Sequence, residues 1–245
     1  MKVYLLAAGF ATRMYPLTRD MAKPLLDVGG APILSHIMRK VEDLPDLTEV
    51  VVIGNHRFYD ALLEWRESCA FRVPIVILND GASEAEERLG AIGDLAFALE
   101  RVPAHGEDFL VIAGDNLFDF ELLTLYEEFK DRNMPLLVTR HLDHSPGQSP
   151  YNEISVDVHG RVLSFREKPL DPVGNLSAIA MYFLTSGTER RIEQYLAAEG
   201  NSDAPGHFIS WLVSRVPVSA CPMVGTWFDI GSLEKLDEAR AFYQH

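Results

Sequence analysis

Two short runs of consecutive apolar residues constrain the fold of this chain more than any other feature. Residues 50–53 (VVVI) and 109–112 (FLVI) are apolar at every position and lack the alternation of a strand with one face in solvent. Strands buried on both faces are typical of parallel sheets that helices cover on both sides. Because such runs alternate with segments of helical periodicity, the sequence predicts an α/β protein with a doubly wound, mostly parallel sheet.

The order of the predicted elements extends this interpretation along the chain. In the first half we expect strands at 2–7, 49–54, 73–78 and 108–113, and helices at 32–44, 58–69, 90–102 and 119–132. A strand-rich stretch follows, with strands at 135–140, 152–158, 162–167 and 178–184 and a hairpin turn at His159 and Gly160. The last predicted elements are helices at 187–199, 207–213 and 232–243 and a strand at 216–221. We therefore expect one domain, residues 1–245, with an inserted β-rich subdomain.

The composition argues against several classes of protein. The 245 residues are 47% apolar, enough for the core of one large domain. No stretch approaches the roughly 18 uninterrupted apolar residues of a membrane span, so we expect no membrane partner. A pI near 4.9 and the lack of a basic tract argue against nucleic acid as a partner. Cys69 and Cys221 have no Cys-x-x-Cys spacing, which predicts neither a disulfide nor a zinc site and favours a cytoplasmic location.

A basic loop near the N-terminus is the first candidate for a binding site. The first 25 residues carry Lys2, Arg13, Arg19 and Lys23 against Asp20, in a chain whose net charge is −14. The loop follows an apolar run, where an α/β protein can bring backbone N–H groups and cations to a phosphate. It matches neither the Walker A pattern nor the dinucleotide-binding pattern. The sequence therefore indicates an anionic ligand of another kind.

Five segments resemble motifs of the sugar-1-phosphate nucleotidylyltransferase family, which includes the glucose-1-phosphate thymidylyltransferases. Residues 6–18 (LAAGFATRMYPLT), followed by AKPL at 22–25, resemble the family's opening L-A-A-G-x-G-[TS]-R-x-x-P-L-T and P-K-x-L. The other four stand in the family's order: LGAIGDL at 89–95, AGDN at 113–116, FREKP at 165–169 and WFDIG at 227–231. The resemblance implies a Rossmann-like nucleotidyltransferase fold. It also implies that residues 1–134 form a nucleotide-binding half. Residues 135–245 would form a sugar-phosphate-binding half, which includes a closing helix.

The resemblance implies the reaction as well. A nucleoside triphosphate and a sugar 1-phosphate would be the substrates, and a nucleotide sugar and pyrophosphate the products, with Mg²⁺ as the cofactor. The chain ends soon after the last motif, as in the thymidylyl-, uridylyl- and cytidylyltransferases without a C-terminal β-helix, which favours a pyrimidine nucleotide, dTTP or UTP. Homo-oligomers are common in the family, so one is expected here by analogy.

The family's functional residues transfer to matching positions of this chain. The resemblance implies that the catalytic residues are Arg13, Lys23, Asp115 and Lys168. It implies that the nucleotide is bound by Leu6, Ala8, Gly9, Ala11, Thr12, Arg13, Lys23, Leu89, Gly90 and Asp115. It implies that the sugar phosphate is bound by Asn152, Glu167, Lys168 and Ala178, and the metal by Asp115 and Asp229. The chemistry agrees, because two anionic substrates require cations for their phosphates and carboxylates for Mg²⁺.

The chain departs from the family pattern at a few positions. Ala11 stands where the phosphate loop has glycine, so this loop requires either a negative φ or a cost of about 1 kcal/mol. Ala22 replaces a proline before Lys23, Asn152 replaces a glycine, and Ala180 or its neighbour Ile179 stands where glycine is frequent. These changes leave the identity of the sugar open.

Other interpretations of the same residues remain. Asp115 could cap a helix, Asp229 could be a turn residue, and Arg13 could be a solvated surface charge. Rival functions are a cytidylyltransferase for phosphocholine or an alditol phosphate, a molybdenum-cofactor guanylyltransferase, and a non-catalytic paralogue that binds a nucleotide sugar.

Overall fold

The structure, a computed structural model, describes residues 1–142 and 151–244. The strands are β1 (Lys2–Leu6), β2 (Asp27–Val28), β3 (Ala31–Pro32), β4 (Glu49–Gly54), β5 (Ile75–Asn79), β6 (Phe109–Ala113), β7 (Asn116–Phe118), β8 (Leu136–His141), β9 (Glu153–Val156), β10 (Val162–Arg166), β11 (Leu176–Leu184), β12 (Ser219–Pro222) and β13 (Trp227–Asp229). The helices are α1 (Ile33–Val41), α2 (Tyr59–Ser68), α3 (Ala91–Arg101), α4 (Leu122–Arg132), α5 (Thr188–Ala197), α6 (Pro205–Val213) and α7 (Leu233–Phe242).

Seven strands form the central sheet in the order β12-β8-β11-β6-β1-β4-β5. The pairs β1–β4, β1–β6, β4–β5 and β8–β12 are parallel, and β11 is antiparallel to both of its neighbours. The predicted mostly parallel sheet is therefore confirmed. The carboxyl ends of β1 and β6 lie side by side, because Leu6 pairs with Ala113. In open sheets of this kind, ligands bind at that edge.

Helices cover both faces of the sheet and explain the runs of consecutive apolar residues. Side chains of α1, α2, α4 and α7 pack on one face, and those of α3, α5 and α6 pack on the other. Alternate residues of β1 point to opposite cores: Val3 and Leu5 enter the first, and Tyr4 enters the second. A strand with two buried faces has no polar alternation, as the sequence analysis assumed.

The β-rich segment contributes to two sheets. Strands β8 and β11 join the central sheet, while β9 and β10 form a separate antiparallel hairpin that packs against α6. The predicted turn lies between them, with Gly160 at φ +77°. The boundary between the two halves at residues 134 and 135 stays a prediction. Among the described residues, no helix has the length and apolar character needed to cross a membrane.

Two small sheets were not predicted from the sequence. β2 pairs with β3, and β7 pairs with β13, each antiparallel. Strands of two or three residues are too short to give a periodic signal. The second pairing matters for the site, because it joins a motif from the middle of the chain to one near its C-terminus.

Candidate functional site

The loop after β1 is held in place by backbone and side-chain hydrogen bonds. The Ala7 amide donates to the Ile53 carbonyl at 2.8 Å, and Asn55 Nδ2 donates to the Ala8 carbonyl at 2.8 Å. Asn55 is fully buried and also accepts from the Phe58 amide. Sequence reasoning did not identify Asn55, although an asparagine directly after a buried strand is a signal for a loop anchor.

Ala11 adopts the conformation that the sequence analysis considered costly. Its φ is +48° and its ψ is +41°, in the left-handed region, so the chain accepts a cost of about 1 kcal/mol. Two hydrogen bonds to the Ala11 carbonyl offset this cost: the Thr18 hydroxyl donates at 2.8 Å and the Met14 amide at 2.9 Å. The short helical turn Thr12–Met14 that follows contains Arg13 in exposed position. The loop thus keeps a backbone conformation that favours glycine, although the residue at this position is alanine.

Lys23 and Asp115 meet at the carboxyl ends of β1 and β6. Lys23 Nζ lies 2.6 Å from Asp115 Oδ2, with the two side chains 13% and 27% exposed. Gly114 allows this approach: its amide donates to the Leu6 carbonyl at 2.8 Å, and a Cβ on Gly114 would lie 2.8 Å from that carbonyl oxygen. The structure therefore brings together the cation of one predicted motif and the carboxylate of another.

Asp229 reaches the same place through β13. It pairs with Asn116 across the β7–β13 sheet, and the Ile230 amide donates to the Asp115 carbonyl at 3.2 Å. Burial raises the pKa of Asp229, and the negative charge of Asp115 raises it further, while Lys23 and Arg13 act in the opposite direction. Asp115, Asp229 and Lys23 thus lie together, and the charge of the exposed Arg13 acts on Asp229 from the loop after β1; we call these four residues the carboxylate–cation cluster.

The position of Asp115 in the chain excludes one of the alternative interpretations, that of a helix cap. Asp115 precedes a strand, β7, and the next helix, α4, begins only at Leu122 with Glu121 before it. The alternative that Asp115 caps a helix is therefore wrong.

The cluster fits a hard divalent cation. The carboxylates of Asp115 and Asp229 lie near each other in a partly buried position and repel each other. A divalent cation bound between them would offset this repulsion. Across residues 1–142 and 151–244, no group of three or more His, Cys, Asp or Glu side chains is arranged to hold a metal ion. Two protein carboxylates, completed by phosphate oxygens and water, are what Mg²⁺ commonly uses.

Asn152 and Ala178, both predicted to bind the sugar phosphate, are bonded to each other. Asn152 Oδ1 accepts from the Ala178 amide at 2.7 Å, and its Nδ2 donates to the Ala178 carbonyl at 3.1 Å. The Asn152 side chain therefore fixes β11 to the start of β9, and a sugar contact by either residue stays a prediction. Two positions further on, Ala180 has φ +53° within an irregularity of β11, which explains a preference for glycine there.

Glu167 lies against the start of α6. Its side chain is 12% exposed, and a Cβ on Gly206 would lie 1.7 Å from Glu167 Oε2. Burial raises the pKa of Glu167, while the charges of Lys168 and His207 lower it. Lys168 Nζ lies 3.9 Å from Glu167 Oε1 and is 60% exposed. Within the described ranges, no hydrogen bond or ion pair joins Lys168 to the carboxylate–cation cluster.

The turn at Leu89 and Gly90, predicted to bind the nucleotide, is covered by a loop from the second half of the chain. Gly90 has φ +82°, and a Cβ there would lie 2.6 Å from both Asp203 Cα and the Ser202 carbonyl oxygen. The Ile92 amide donates to that carbonyl at 2.8 Å, and Arg88 forms an ion pair with Asp203 at 3.0 Å. Leu89 and Gly90 thus lie where the two halves of the chain meet, a contact that the sequence did not predict.

A buried acidic pair, Asp80 and Asp94, lies beside this turn. Asp94 is 7% exposed, and among the described residues neither Asp94 Oδ1 nor Asp80 Oδ2 has a hydrogen-bond partner apart from the facing carboxyl group. Burial raises the pKa of Asp94 to about 8, with a further contribution from the charge of Asp80. The pair therefore shares a proton at neutral pH, as two facing carboxyl groups do when both cannot ionise.

This pair predicts a pH dependence of stability. Asp94 binds its proton more tightly in the folded protein than in the unfolded chain, so the free energy of unfolding falls as pH rises from about 4 to about 8. Asp94→Asn removes this titration, and we expect the fall to be smaller by roughly 1–3 kcal/mol. Urea unfolding at pH 5.5 and 8.5 measures it. Asp43→Asn, at an exposed ion pair with Arg72, is the control. Equal pH slopes for wild type and Asp94→Asn would contradict the shared proton.

Arg140, which was not among the residues predicted from the sequence, lies beside the cluster. It lies near the end of β8, with its guanidinium carbon 4.6 Å from the Trp227 ring centre and 5.0 Å from the Tyr151 ring centre. Its positive charge also lowers the pKa of Asp229. No motif marked it, because Trp227, on which it stacks, comes from a distant part of the chain.

Comparison with known proteins identifies relatives along the whole chain. UTP–glucose-1-phosphate uridylyltransferase AglF of Haloferax volcanii is 28% identical over 242 residues, which cover 98% of this chain and 95% of AglF. Mannose-1-phosphate guanylyltransferase 1 of Arabidopsis thaliana is 28% identical over 235 residues, which cover 94% of this chain and 61% of that protein. The chain spans 61% of the length of several of the curated relatives it matches.

Solved structures agree on the fold. The crystal structure of UDP-glucose pyrophosphorylase complexed with UDP-glucose superposes with a TM-score of 0.82 at 17% identity, covering 99% of this chain and 97% of that one. The Rossmann-like fold expected from the sequence is confirmed. A family model described as Nucleotidyl transferase matches residues 2–245. The family predicted from the five motifs is therefore confirmed, and the chain belongs to the nucleotidyl transferase family.

Proposed function

We propose that this chain is an enzyme that transfers a nucleotidyl group from a nucleoside triphosphate to a sugar 1-phosphate. The carboxylate–cation cluster carries this proposal, because it joins two cations and two carboxylates at the carboxyl ends of β1 and β6. The relatives support it: their names describe sugar-1-phosphate uridylyl- and guanylyltransferases. Retention of all four cluster residues argues against a non-catalytic paralogue.

The residues of the cluster have different roles in this proposal. Arg13 and Lys23 neutralise the triphosphate, and Asp115 and Asp229 hold Mg²⁺. When bound, the ion would offset negative charge on the reacting phosphates. Lys168 binds the phosphate of the sugar 1-phosphate, and Glu167 accepts hydrogen bonds from sugar hydroxyls.

The reaction needs positioning and charge neutralisation more than a protein nucleophile. A phosphate oxygen of the sugar 1-phosphate attacks the α-phosphorus of the triphosphate. The new P–O bond forms as the bond from the α-phosphorus to the bridging oxygen breaks, and pyrophosphate leaves. The products are a nucleotide sugar and pyrophosphate.

A pyrimidine nucleotide, UTP or dTTP, is the proposed donor. The similarity to AglF, which this chain matches over 95% of AglF's length, supports this choice. A cytoplasmic location is proposed from the two free cysteines, Cys69 and Cys221. A homo-oligomer is proposed by analogy with the family alone.

The test is pyrophosphate release across a matrix of UTP, dTTP, CTP, GTP and ATP with common sugar 1-phosphates, phosphocholine and an alditol phosphate. We expect release with a sugar 1-phosphate and UTP or dTTP, and none after Mg²⁺ is removed by EDTA. Release only with phosphocholine or an alditol phosphate would establish the cytidylyltransferase instead. If no combination releases pyrophosphate and calorimetry shows binding of a nucleotide sugar, the chain is a non-catalytic binding protein.

A further inference from the structure

Arg140 is held by two aromatic rings and not by a carboxylate. Its guanidinium carbon lies 4.6 Å from the Trp227 ring centre and 5.0 Å from the Tyr151 ring centre. In the part of the chain that the structure describes, the Arg140 guanidinium forms no ion pair with an acidic side chain. By comparison, the partly buried guanidinium of Arg132 binds Glu128, and that of Arg166 binds Glu153.

Stacking leaves the hydrogen-bond donors of a guanidinium available. The five N–H groups of arginine lie in one plane, so rings above or below that plane do not occupy them. A partly buried cation whose donors are not committed to a carboxylate is suited to an anionic ligand. A phosphate matches the two parallel N–H donors of a guanidinium better than it matches an ammonium group.

The position of Arg140 relative to the cluster follows from β13. Trp227 and Asp229 are two residues apart in that strand, so their side chains point to the same side of it. Arg140 stacks on Trp227 and therefore lies on the side where Asp229 joins the cluster. The effect of its charge on the pKa of Asp229 agrees with this placement.

The backbone of Arg140 belongs to the sugar-phosphate half of the chain. On β8 it pairs with Ser177 of β11, and the preceding residue, Thr139, pairs with Ala178. Tyr151, its second stacking partner, directly precedes Asn152, which fixes Ala178. Arg13 and Lys23, in contrast, come from the loop after β1. In the central sheet β11 and β6 lie between β8 and β1, so Arg140 and the loop after β1 reach the cluster from different strands.

We propose that Arg140 binds the phosphate group of the sugar 1-phosphate, with Trp227 and Tyr151 holding the plane of its guanidinium. The inference rests on the proposed function and adds a residue that the family motifs do not contain. Arg140 would neutralise the attacking phosphate next to Asp229, where two carboxylates otherwise repel it. Lys168 would contribute from the Glu167 side of the same substrate.

Arg140→Gln tests the proposal through the Michaelis constants. We expect the KM for the sugar 1-phosphate to rise about 30-fold, as for loss of a bidentate charge-assisted contact, and the KM for the nucleotide to change less than about 3-fold. Arg140→Lys keeps the positive charge without the planar donors. Its KM for the sugar 1-phosphate should therefore lie between the values for wild type and Arg140→Gln. Arg215→Gln is the matched control, because Arg215 stacks on Trp211 at 4.0 Å on the exposed surface.

Two results would overturn the role of Arg140. One is an unchanged KM for the sugar 1-phosphate in Arg140→Gln. The other is an equal rise in both KM values, which would indicate a general change of the site. Circular dichroism confirms that each variant is folded.

A separate measurement keeps this inference distinct from the proposed function. If the wild-type protein releases no pyrophosphate in any well, the proposed function fails, and glucose 1-phosphate is titrated into wild type and Arg140→Gln by calorimetry. Binding to wild type that weakens at least 10-fold in the variant would still support a phosphate site at Arg140. Equal binding to both, or binding to neither, would overturn it.

Discussion

Asp115→Asn is expected to lower kcat for pyrophosphate release by about 10³-fold or more, the largest effect of any single substitution proposed for this chain. The variant removes one of two carboxylates of the cluster and the partner of Lys23 at 2.6 Å. Because an asparagine side chain has nearly the same shape, the change is in charge and not in volume. Steady-state rates with UTP or dTTP and a sugar 1-phosphate at saturating Mg²⁺ measure it.

The matched control lies at the amino ends of the strands, away from the cluster. Glu49 pairs with Lys2 at 3.0 Å, and these side chains are 24% and 14% exposed, close to the values for Asp115 and Lys23. Glu49→Gln should therefore change stability as Asp115→Asn does, within about 1 kcal/mol, while leaving kcat unchanged. An Asp115→Asn variant that keeps full turnover would remove Asp115 from the site. An equal loss in both variants would assign the effect to stability.

Lys23→Met is expected to lower kcat/KM by roughly 10²- to 10³-fold. The side chain of Lys23 is 13% exposed and its ammonium group lies 2.6 Å from Asp115 Oδ2, so it is less shared with solvent than the exposed Arg13. Methionine keeps most of the aliphatic stem and removes the charge. Since the lysine is proposed to neutralise the triphosphate, the loss should appear with every sugar 1-phosphate tested.

Lys2→Met serves as the control for Lys23→Met, because it removes a lysine of similar exposure far from the carboxyl ends of the strands. The Lys23→Met and Asp115→Asn changes should also be non-additive, since each removes the partner of the other. Full additivity of the two losses would indicate that Lys23 and Asp115 act at separate places. A kcat/KM near that of wild type in Lys23→Met would contradict a role in triphosphate binding.

Long buried strands and amphipathic helices could be predicted from the sequence because their signal is local. The run at 50–53 lies within β4 (Glu49–Gly54), and the helix expected at 90–102 is α3 (Ala91–Arg101). Apolar runs and helical periodicity depend only on neighbouring residues, and a mostly parallel sheet with helices on both faces follows from strands that are apolar on both faces. The sequence also marked Ala11 as a position that requires either a negative φ or a strained backbone, and its φ of +48° is the strained alternative.

The contacts that assemble the site depend on residues far apart in the chain and could not be predicted in this way. The pairing of Asn116 with Asp229 joins three-residue strands, which leave no periodic trace. Arg140 is an ordinary strand residue until Tyr151 and Trp227 pack around it. Asp94 lies in the first turn of α3, where a charged residue is ordinarily exposed, yet it is 7% exposed because Asp80 and the loop at Ser202 and Asp203 lie beside that turn.

³¹P NMR of one reaction mixture tests the central claim most directly. Wild-type protein, Mg²⁺, a sugar 1-phosphate and UTP or dTTP are combined, and Asp115→Asn is run beside it. We predict that the sugar 1-phosphate resonance decays while diphosphate resonances of a nucleotide sugar and the resonance of pyrophosphate grow in equal amounts, with Asp115→Asn silent on the same timescale. Hydrolysis of the triphosphate without consumption of the sugar 1-phosphate, or product formation at the wild-type rate in Asp115→Asn, would contradict the account.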